Sequence, residues 1–435
     1  MPQVNSVTTP TRRTALRGGA AIALGLVSAA CSGGSKGGVG PDGRVTIQLW
    51  HGQNERNRVV VEELVADFER AYPNIRIDLG GGGVVADEML QKVLAALASG
   101  SFPDIAYIFG SDLASIARSP NVVDLTDALP GWNDLWQPVQ TAVTLNGRVR
   151  AAPALTDSLA VVCNQAVFAN AGVALPVTGW SWKDFTATAR KLTDADRGTF
   201  GTGWPGVGDE DTTWRLWPLV WDLGGEVIAA DGKTVGFADV GERALQVVAD
   251  LARDKSVYID AKPGTDQMYQ VFKSGLMGMV ITGQWQLAEI IDARVDYTVV
   301  PMPSFTGAPM TISGPDTWTL FDNGPARVHA ARTFVNWLND PRQDVRWDIG
   351  AGSLPLSRPA QALPEWQRQV EDIDGLDVFT RALVYSRARP VHPAYPQVSQ
   401  ALGQAIVSVL YGRRSPAEAM RRCRREADAA LHIPR

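Results

Sequence analysis

The stretch that decides the fold is Val45-Thr46-Ile47-Gln48-Leu49-Trp50-His51-Gly52, continuing from Arg56 to Tyr72 and closing on Ile75-Arg76-Ile77-Asp78-Leu79. Val45, Ile47 and Leu49 alternate with polar residues, the period of a strand with one buried face. From there Val60, Leu64, Phe68 and Tyr72 recur every four positions, the spacing of one helix face, and Pro73 stops the run. Ile75, Ile77 and Leu79 alternate again, and Gly80 to Gly83 make a loop. Strand, helix, strand is the repeating unit of an α/β fold with a largely parallel sheet, and that is the predicted class.

The pattern continues outward. A helix is predicted near Asp87 to Ala98, with Leu90, Leu94 and Leu97 on its buried face and Gly100 as its stop. Pro103-Asp104-Ile105-Ala106-Tyr107-Ile108 reads as the next strand. After Ala151 the alternation restarts with Leu159 to Val162 as a buried strand. Ser181, with Asp184 three residues on, caps a helix through Phe185, Ala189 and Leu192. Asp231-Gly232 is a hairpin turn, and Val240 to Ala252 is helical. Two alternating units of similar size predict two α/β lobes, with no short tandem repeat.

Composition narrows the function classes. At ~150 residues per domain, a chain of 435 residues holds two or three domains. Its 45% hydrophobic and 20% charged residues can bury a core, which excludes disorder as the dominant state. The net charge is −5 and no basic stripe interleaves with aromatics, so no nucleic-acid partner is expected. Three Cys and four His argue against a zinc scaffold or a disulfide framework. Outside the Gly/Ser-rich tether, where Gly33-Gly34-Ser35-Lys36-Gly37 merely fits the spacing, there is no Gly-x-Ser-x-Gly elbow, and there is no His-Glu-x-x-His and no Walker loop. The glycines 80–83 lack the Lys-Ser/Thr of a phosphate loop. A non-enzyme without a cofactor is the expectation.

The first thirty residues read as an address. Arg12, Arg13 and Arg17 precede an apolar run from Gly18 to Ala30, too short to span a bilayer, which needs ~20 residues. This is an export signal over residues 1–30; the order Thr11-Arg12-Arg13-Thr14 resembles a twin-arginine signal, with Sec export as the alternative. Cys31 after Ser28-Ala29-Ala30 resembles a bacterial lipobox, although Ser28 stands where Leu is usual. Residues 31–43, rich in Gly and Ser, then form a lipidated flexible tether. The expected protein is exported and lipid-anchored to the outer face of the bacterial cytoplasmic membrane.

The order of motifs along the mature chain resembles the maltose-binding type of extracellular solute-binding protein, the sugar receptor of ABC importers. The residues that carry the resemblance are Trp50-His51-Gly52, the segment Gly100 to Ile105, and Gly147 to Pro153 leading to Asn164. Trp180 to Phe185, Phe272 to Met279 with Gly283-Gln284-Trp285, Gly352-Ser353-Leu354-Pro355 and Gly412 to Ala419 continue the series. Cys163 departs from it where Tyr often precedes the Asn. The resemblance implies a two-lobed periplasmic-binding-protein-like fold with a hinge and an interlobe cleft. The first lobe takes residues near 44–155 and 302–345, the second 156–301 and 346–435. It also implies a monomer that binds a carbohydrate, closes, and delivers it to ABC permease subunits.

A sugar site needs flat aromatic faces together with carboxylates, amides and Arg for the hydroxyls. By the resemblance, Trp285 is a stacking aromatic, Trp214 an aromatic platform and Asp157 a carboxylate at the first crossing, while Trp217 is a core position. Asp112, in the Gly110-Ser111-Asp112 loop after a strand, points into the cleft or caps a helix. Trp50 and His51 end the first strand at the same edge, Gly314 and Asp316 line the third crossing, and Tyr395 sits in a late cleft loop. Mono- to oligosaccharides, neutral or amino, are the expected ligands. The alternative is a glycerophosphodiester held by Arg387 and Arg389, or an exported glycosidase using Asp112 and Asp157. Cys163 and Cys423 are expected as two buried free thiols.

Overall fold

The computed structural model describes residues 38–40, 42–53, 55–80, 83–84 and 88–433. The export signal, Cys31, most of the tether, and Gly81 and Gly82 of the glycine loop therefore lie outside the described residues. In chain order, β1 is Val45–Trp50, α1 Glu55–Ala71, β2 Ile75–Asp78, α2 Met89–Ser99 and β3 Ile105–Ile108. Next come β4 (Ala152–Leu155), β5 (Leu159–Asn164), α3 (Trp182–Leu192), α4 (Glu210–Trp214) and α5 (Gly241–Arg253). They are followed by β6 (Met279–Gly283), β7 (Tyr297–Val300), β8 (Thr311–Ile312) and β9 (Asp316–Leu320). The C-terminal part carries α6 (Pro325–Leu338), α7 (Pro341–Ala351), α8 (Tyr395–Leu410) and α9 (Pro416–Leu431).

The first sheet has the order β2-β1-β3-β9-β4. β1 pairs parallel with β2 and β3, whereas β9 pairs antiparallel with both β3 and β4. The second sheet, β6-β5-β7, is antiparallel throughout. The expected largely parallel sheet is thus corrected to a mixed one. The cause is topological: β1 and β3 run toward the cleft and end there, while β9 starts at the cleft and runs away from it. Ile47, Phe68, Ile105, Trp318, Phe334 and Trp347 form the core of the first lobe. Val161, Phe185, Trp204, Trp217, Ile281 and Ile406 form that of the second.

Local signals explain most helix ends. The capping box of α3 forms as the sequence predicts: Ser181 accepts from Asp184 N, and Asp184 accepts from Ser181 N at 2.9 Å. Gly100 ends α2 in the left-handed region at φ 69°. The buried face of α2 is a correction: Met89, Val93 and Ala96 point inward, and Leu94 is exposed. Nearly every position of that helix is apolar, so two faces compete: Met89 and Val93 pack in one cluster with Ile108 and Ile116, and the predicted Leu90 and Leu97 lie partly buried against it.

Three segments cross between the lobes: Thr156-Asp157-Ser158 after β4, Ser313-Gly314-Pro315 after β8, and Gly352 to Leu356 after α7. They run side by side and are tied at Thr156. Its hydroxyl shares a hydrogen bond with the Ser313 hydroxyl at 2.7 Å, and its carbonyl accepts from Leu354 N at 2.9 Å. Met302 and Ile312 pack in the second core, so the segment 302–312 assigned to the first lobe from sequence lies against the second. Trp347 and Ala351 of α7 pack against the first core. A third cluster, with Val139, Val162, Val345, Leu354 and Trp366, joins the lobes behind the crossings.

Candidate functional site

The site forms where β1, β3, β6 and the crossings end at the cleft. Tyr107 of β3 donates from its hydroxyl to Asp316 Oδ2 at 2.5 Å, and Gly110 N donates to Asp316 Oδ1 at 3.2 Å. Asp316 opens β9, so the second crossing delivers this carboxylate directly to the end of β3. Asp157 stands on the first crossing and accepts from Gly314 N at 2.6 Å. Burial pushes Asp157 up to about 6, against the pull of Gly314 N and Arg389. Burial likewise pushes Asp316 up to about 7; the Tyr107 hydrogen bond opposes it and the neighbouring Asp157 charge adds to it.

A second layer builds on Gly314. The benzo edge of Trp214 rests there so closely that a Cβ on Gly314 would come within 1.9 Å of Cη2. The Arg389 guanidinium covers the Trp214 ring at 4.2 Å, leaving the indole 9% exposed. Arg389 is itself held by Glu210 at 2.6 Å, and Tyr395 donates to the same oxygen at 2.6 Å. Ser399 bonds the other Glu210 oxygen. Glu210 is the first residue of α4, capped by Asp209, where the helix dipole favours a negative charge. Asp112 and Ser111 face Glu210, Tyr395, Ser399 and Gln404 across a depression of about 430 Å³ whose walls come from both lobes.

Trp285 lies on the other side of the first crossing. Its ring covers Gly283, where a Cβ would come within 1.8 Å of Cζ3. Gln284 between them accepts from Ser158 N at 3.4 Å and donates to the Gly352 carbonyl at 3.0 Å, tying the first and third crossings together. Trp285 is half-buried and lines a cavity of about 130 Å³.

The structure thus brings Asp157, Gly314, Asp316, Trp214, Tyr395 and Asp112 together, with Trp285 one residue from Gln284. Tyr395 is 1% exposed and turned inward, its hydroxyl also accepting from Trp217 Nε1 at 3.1 Å. His51 is buried, its ring held below its ordinary pKa chiefly by burial, and its Nδ1 accepts from Gln53 N at 3.0 Å. It shapes the turn into α1. Trp50 stands apart, packed toward Gly80 with Lys92 Nζ 4.4 Å over its ring. Arg387 pairs with Glu226 at 2.5 Å. Cys163 and Cys423 are buried and free. Among the described residues no group of His, Cys, Asp and Glu is arranged to hold a metal ion.

Sequence reasoning missed Tyr107, Glu210 and Gln53. Gln53 lies against the Tyr107 hydroxyl and accepts from Asn57 Nδ2 at 3.2 Å. Glu210 carried a local signal, since Gly208-Asp209-Glu210-Asp211 is an acidic helix start. Tyr107 carried none, because only the pairing of β3 with β9 brings Asp316 to it.

Known proteins share the fold and much of the sequence length. A cyclic α-maltosyl-1,6-maltose binding protein from Arthrobacter globiformis superposes with a TM-score of 0.80 at 25% identity, covering 89% of this chain and 99% of that one. An uncharacterised lipoprotein of Streptomyces antibioticus is 25% identical over 350 residues, 77% of this chain and 75% of its own. An sn-glycerol-3-phosphate-binding periplasmic protein of Pectobacterium atrosepticum is 22% identical over 424 residues, 92% of each chain. The model of the bacterial extracellular solute-binding protein family matches residues 54–345, a span that takes in the second sheet, all of the first except β1, and the first two crossings. That span is more than half of the chain, and this chain belongs to the bacterial extracellular solute-binding protein family.

Proposed function

We propose that the protein is the lipid-anchored receptor of an ABC importer, held by Cys31 at the outer face of the bacterial cytoplasmic membrane. It captures a carbohydrate between its lobes and delivers it to the permease. The observation that carries this reading is the company kept by the crossings: Asp157 and Asp316 on one side of Ser158, and the half-buried Trp285 on the other. Carboxylates accept from sugar hydroxyls, and an indole face covers the apolar side of a ring. Because these groups stand on the crossing segments and on strand ends of both lobes, a ligand that touches them all favours the closed arrangement. The maltosyl-maltose specificity of the Arthrobacter protein agrees with this reading.

The glycerophosphate specificity of the Pectobacterium relative represents the alternative. An anionic ligand beside Asp157 and Asp316 needs an uncommitted cation there, but Arg389 is bound to Glu210 and Arg387 to Glu226, while Arg56 lines the separate Trp285 cavity. Asp157 and Asp316 would also repel a phosphate. Sugar is therefore the better match. A thermal-shift screen over mono- and disaccharides, amino sugars and glycerophosphodiesters tests it. A ligand at 100 times its Kd stabilises by about 2.7 kcal/mol. A shift with sugars is the expected result, and a shift with glycerophosphodiesters alone would overturn the reading. Recovery of labelled oligosaccharide unchanged after incubation separates a receptor from a glycosidase.

A further inference from the structure

The helix that leads into the third crossing carries two acids on one face. Asp344 and Asp348 stand four residues apart on α7, one above the other, and are 2% and 1% exposed. Each holds the crossing with one oxygen: Asp344 Oδ2 accepts from Leu356 N at 3.0 Å, and Asp348 Oδ1 accepts from the Ser353 hydroxyl at 2.6 Å. Two further bonds fix the same segment, from Leu354 N to the Thr156 carbonyl and from Trp136 Nε1 to the Pro355 carbonyl, both at 2.9 Å. The second oxygen of each acid, Asp344 Oδ1 and Asp348 Oδ2, is buried, and among the described residues no donor reaches it.

Two buried carboxyls side by side resist a second charge, and two bare acceptors need a hydrogen between them. One proton answers both needs, because a protonated oxygen of one acid donates to the bare oxygen of the other. Burial pushes both acids up, and at Asp344 the charges of Asp348 and of Asp340, at the N-cap of α7, add to the rise. The bonds from Leu356 N and the Ser353 hydroxyl oppose it. Packed on α7 are α1, α6 and the helices Arg358–Gln361 and Pro364–Asp372. Arg56 of α1 lines a cavity with Asp348, but among the described residues no cation forms an ion pair with either acid. Asp67 of α1 pairs with Arg346 of α7 at 2.8 Å. Arg327 and Arg332 of α6 are bound to Asp104 and to the Asp124 carbonyl, and Arg358 covers the Trp136 ring. Glu63, His329, Glu365, Arg368, Glu371 and Asp372 are exposed.

We propose that Asp344 and Asp348 share a proton between their bare oxygens and, as a pair, clamp the third crossing to α7, so that losing the proton to solvent loosens the hinge. With the proton in place both carboxyls keep their outer oxygens on Leu356 and Ser353. Without it two like charges lie buried one turn apart, and their repulsion moves them off the crossing. Closure of the lobes bends the crossings, so the protonation state of the pair biases the open–closed equilibrium. This device does not depend on which ligand the cleft takes.

The test is urea denaturation and amide exchange of the unliganded protein between pH 7.5 and 8.5. Asp157 and Asp316, at about 6 and 7, lie below that window, and the thiols of the unfolded chain titrate at its upper end, near ~8.5. Asp348 is pushed up to about 8 with Asp344 also raised, whereas the unfolded chain releases both protons near ~3.9. The fold thus keeps protons that unfolding releases, and the wild-type folding equilibrium should fall by about tenfold per pH unit for each proton kept. Exchange at the Leu354 and Leu356 amides, corrected for its intrinsic pH dependence, should quicken severalfold while the amides of β1 and β5 do not. Asp348→Asn keeps an acceptor for the Ser353 hydroxyl and offers an amide N–H to Asp344, so the proton is no longer needed and both effects should vanish. Asp344→Asn presents the same amide from the other side and decides the matter if Asp348→Asn does not fold; the wild-type measurements decide it if neither does. A wild-type equilibrium flat across the window, a fall retained in the variants that fold, or exchange quickened evenly through both sheets overturns the shared-proton clamp.

Discussion

An indole seated on backbone requires a glycine beneath it, and this protein does so twice, with Trp214 on Gly314 and Trp285 on Gly283. The two differ in what remains open. Trp214 has its face under Arg389 and behaves as a buttress of the second crossing, whereas Trp285 keeps surface toward a cavity. Trp285→Ala should therefore weaken binding of the tightest sugar by at least about 2 kcal/mol, roughly thirtyfold, with a near-normal urea melt. Trp214→Ala should cost about 3–5 kcal/mol of stability, read in the same melt. The reverse pattern would exchange their roles. Gly283 and Trp285 are two residues apart, so their pairing was legible in the sequence; Gly314 and Trp214 are a hundred apart, and theirs was not. The raised carboxyls carry a pH signature. Asp157 and Asp316 hold protons in the fold between about pH 4 and their folded values of about 6 and 7, whereas the unfolded chain releases them near ~3.9. Their contribution to the stability of the free protein thus falls as pH rises through that window. Hydroxyls donating to them favour the charged forms, so binding should release protons, and affinity should weaken as pH falls from 8 to 5. Calorimetry in buffers of different ionisation heat reads the protons. An affinity flat across that range would remove both carboxylates from the site.

At the scale of elements, what was legible in the sequence is what neighbours in the chain decide. The Ser181–Asp184 cap, the stop at Gly100 and the turn at Asp231-Gly232 all appear, the last closing an antiparallel bridge between Ile228 and Val235. The direction of β9 and the inward face of α2 depend on partners far along the chain, and local periodicity does not carry them. The crossings are of the second kind. Thr156 is an ordinary residue before Asp157 in sequence, yet it binds the second crossing through Ser313 and the third through Leu354. Both Thr156 and Ser313 are fully buried. Thr156→Val keeps the shape and strands the Ser313 hydroxyl, at a cost of about 1–3 kcal/mol. The expected outcome is a lowered melt, with faster amide exchange confined to residues 154–158, 311–316 and 352–356. A lowered melt with exchange quickened evenly through both cores would instead mean that the three crossings do not act as one hinge.

At the scale of the molecule, the two-lobed plan was legible because the junction motifs occur in a fixed order. The place where the chain changes lobes was less so: Met302 and Ile312 still pack with the second core, and the first sheet is rejoined only at Asp316. A receptor of this plan must stay near its permease, and the means proposed here lies outside the lobes. No described helix is long and apolar enough to cross a membrane. The first described pairing, Val39 with Val45, already belongs to the start of the first sheet, so Cys31 precedes every core residue. Each buried methylene of an attached acyl chain contributes about 0.8 kcal/mol to membrane binding, and two chains suffice for stable anchoring where one does not. A diacylglyceryl thioether on Cys31 would thus suffice to hold the molecule at the membrane. Cys31→Ala should move the protein from the membrane pellet to the soluble fraction after cell fractionation. Its melting temperature and its sugar-induced thermal shift should match those of the wild type with the lipid removed. Retention of the variant in the pellet would assign membrane attachment to another part of the chain, and a lowered melt would mean that the tether contributes to the first lobe.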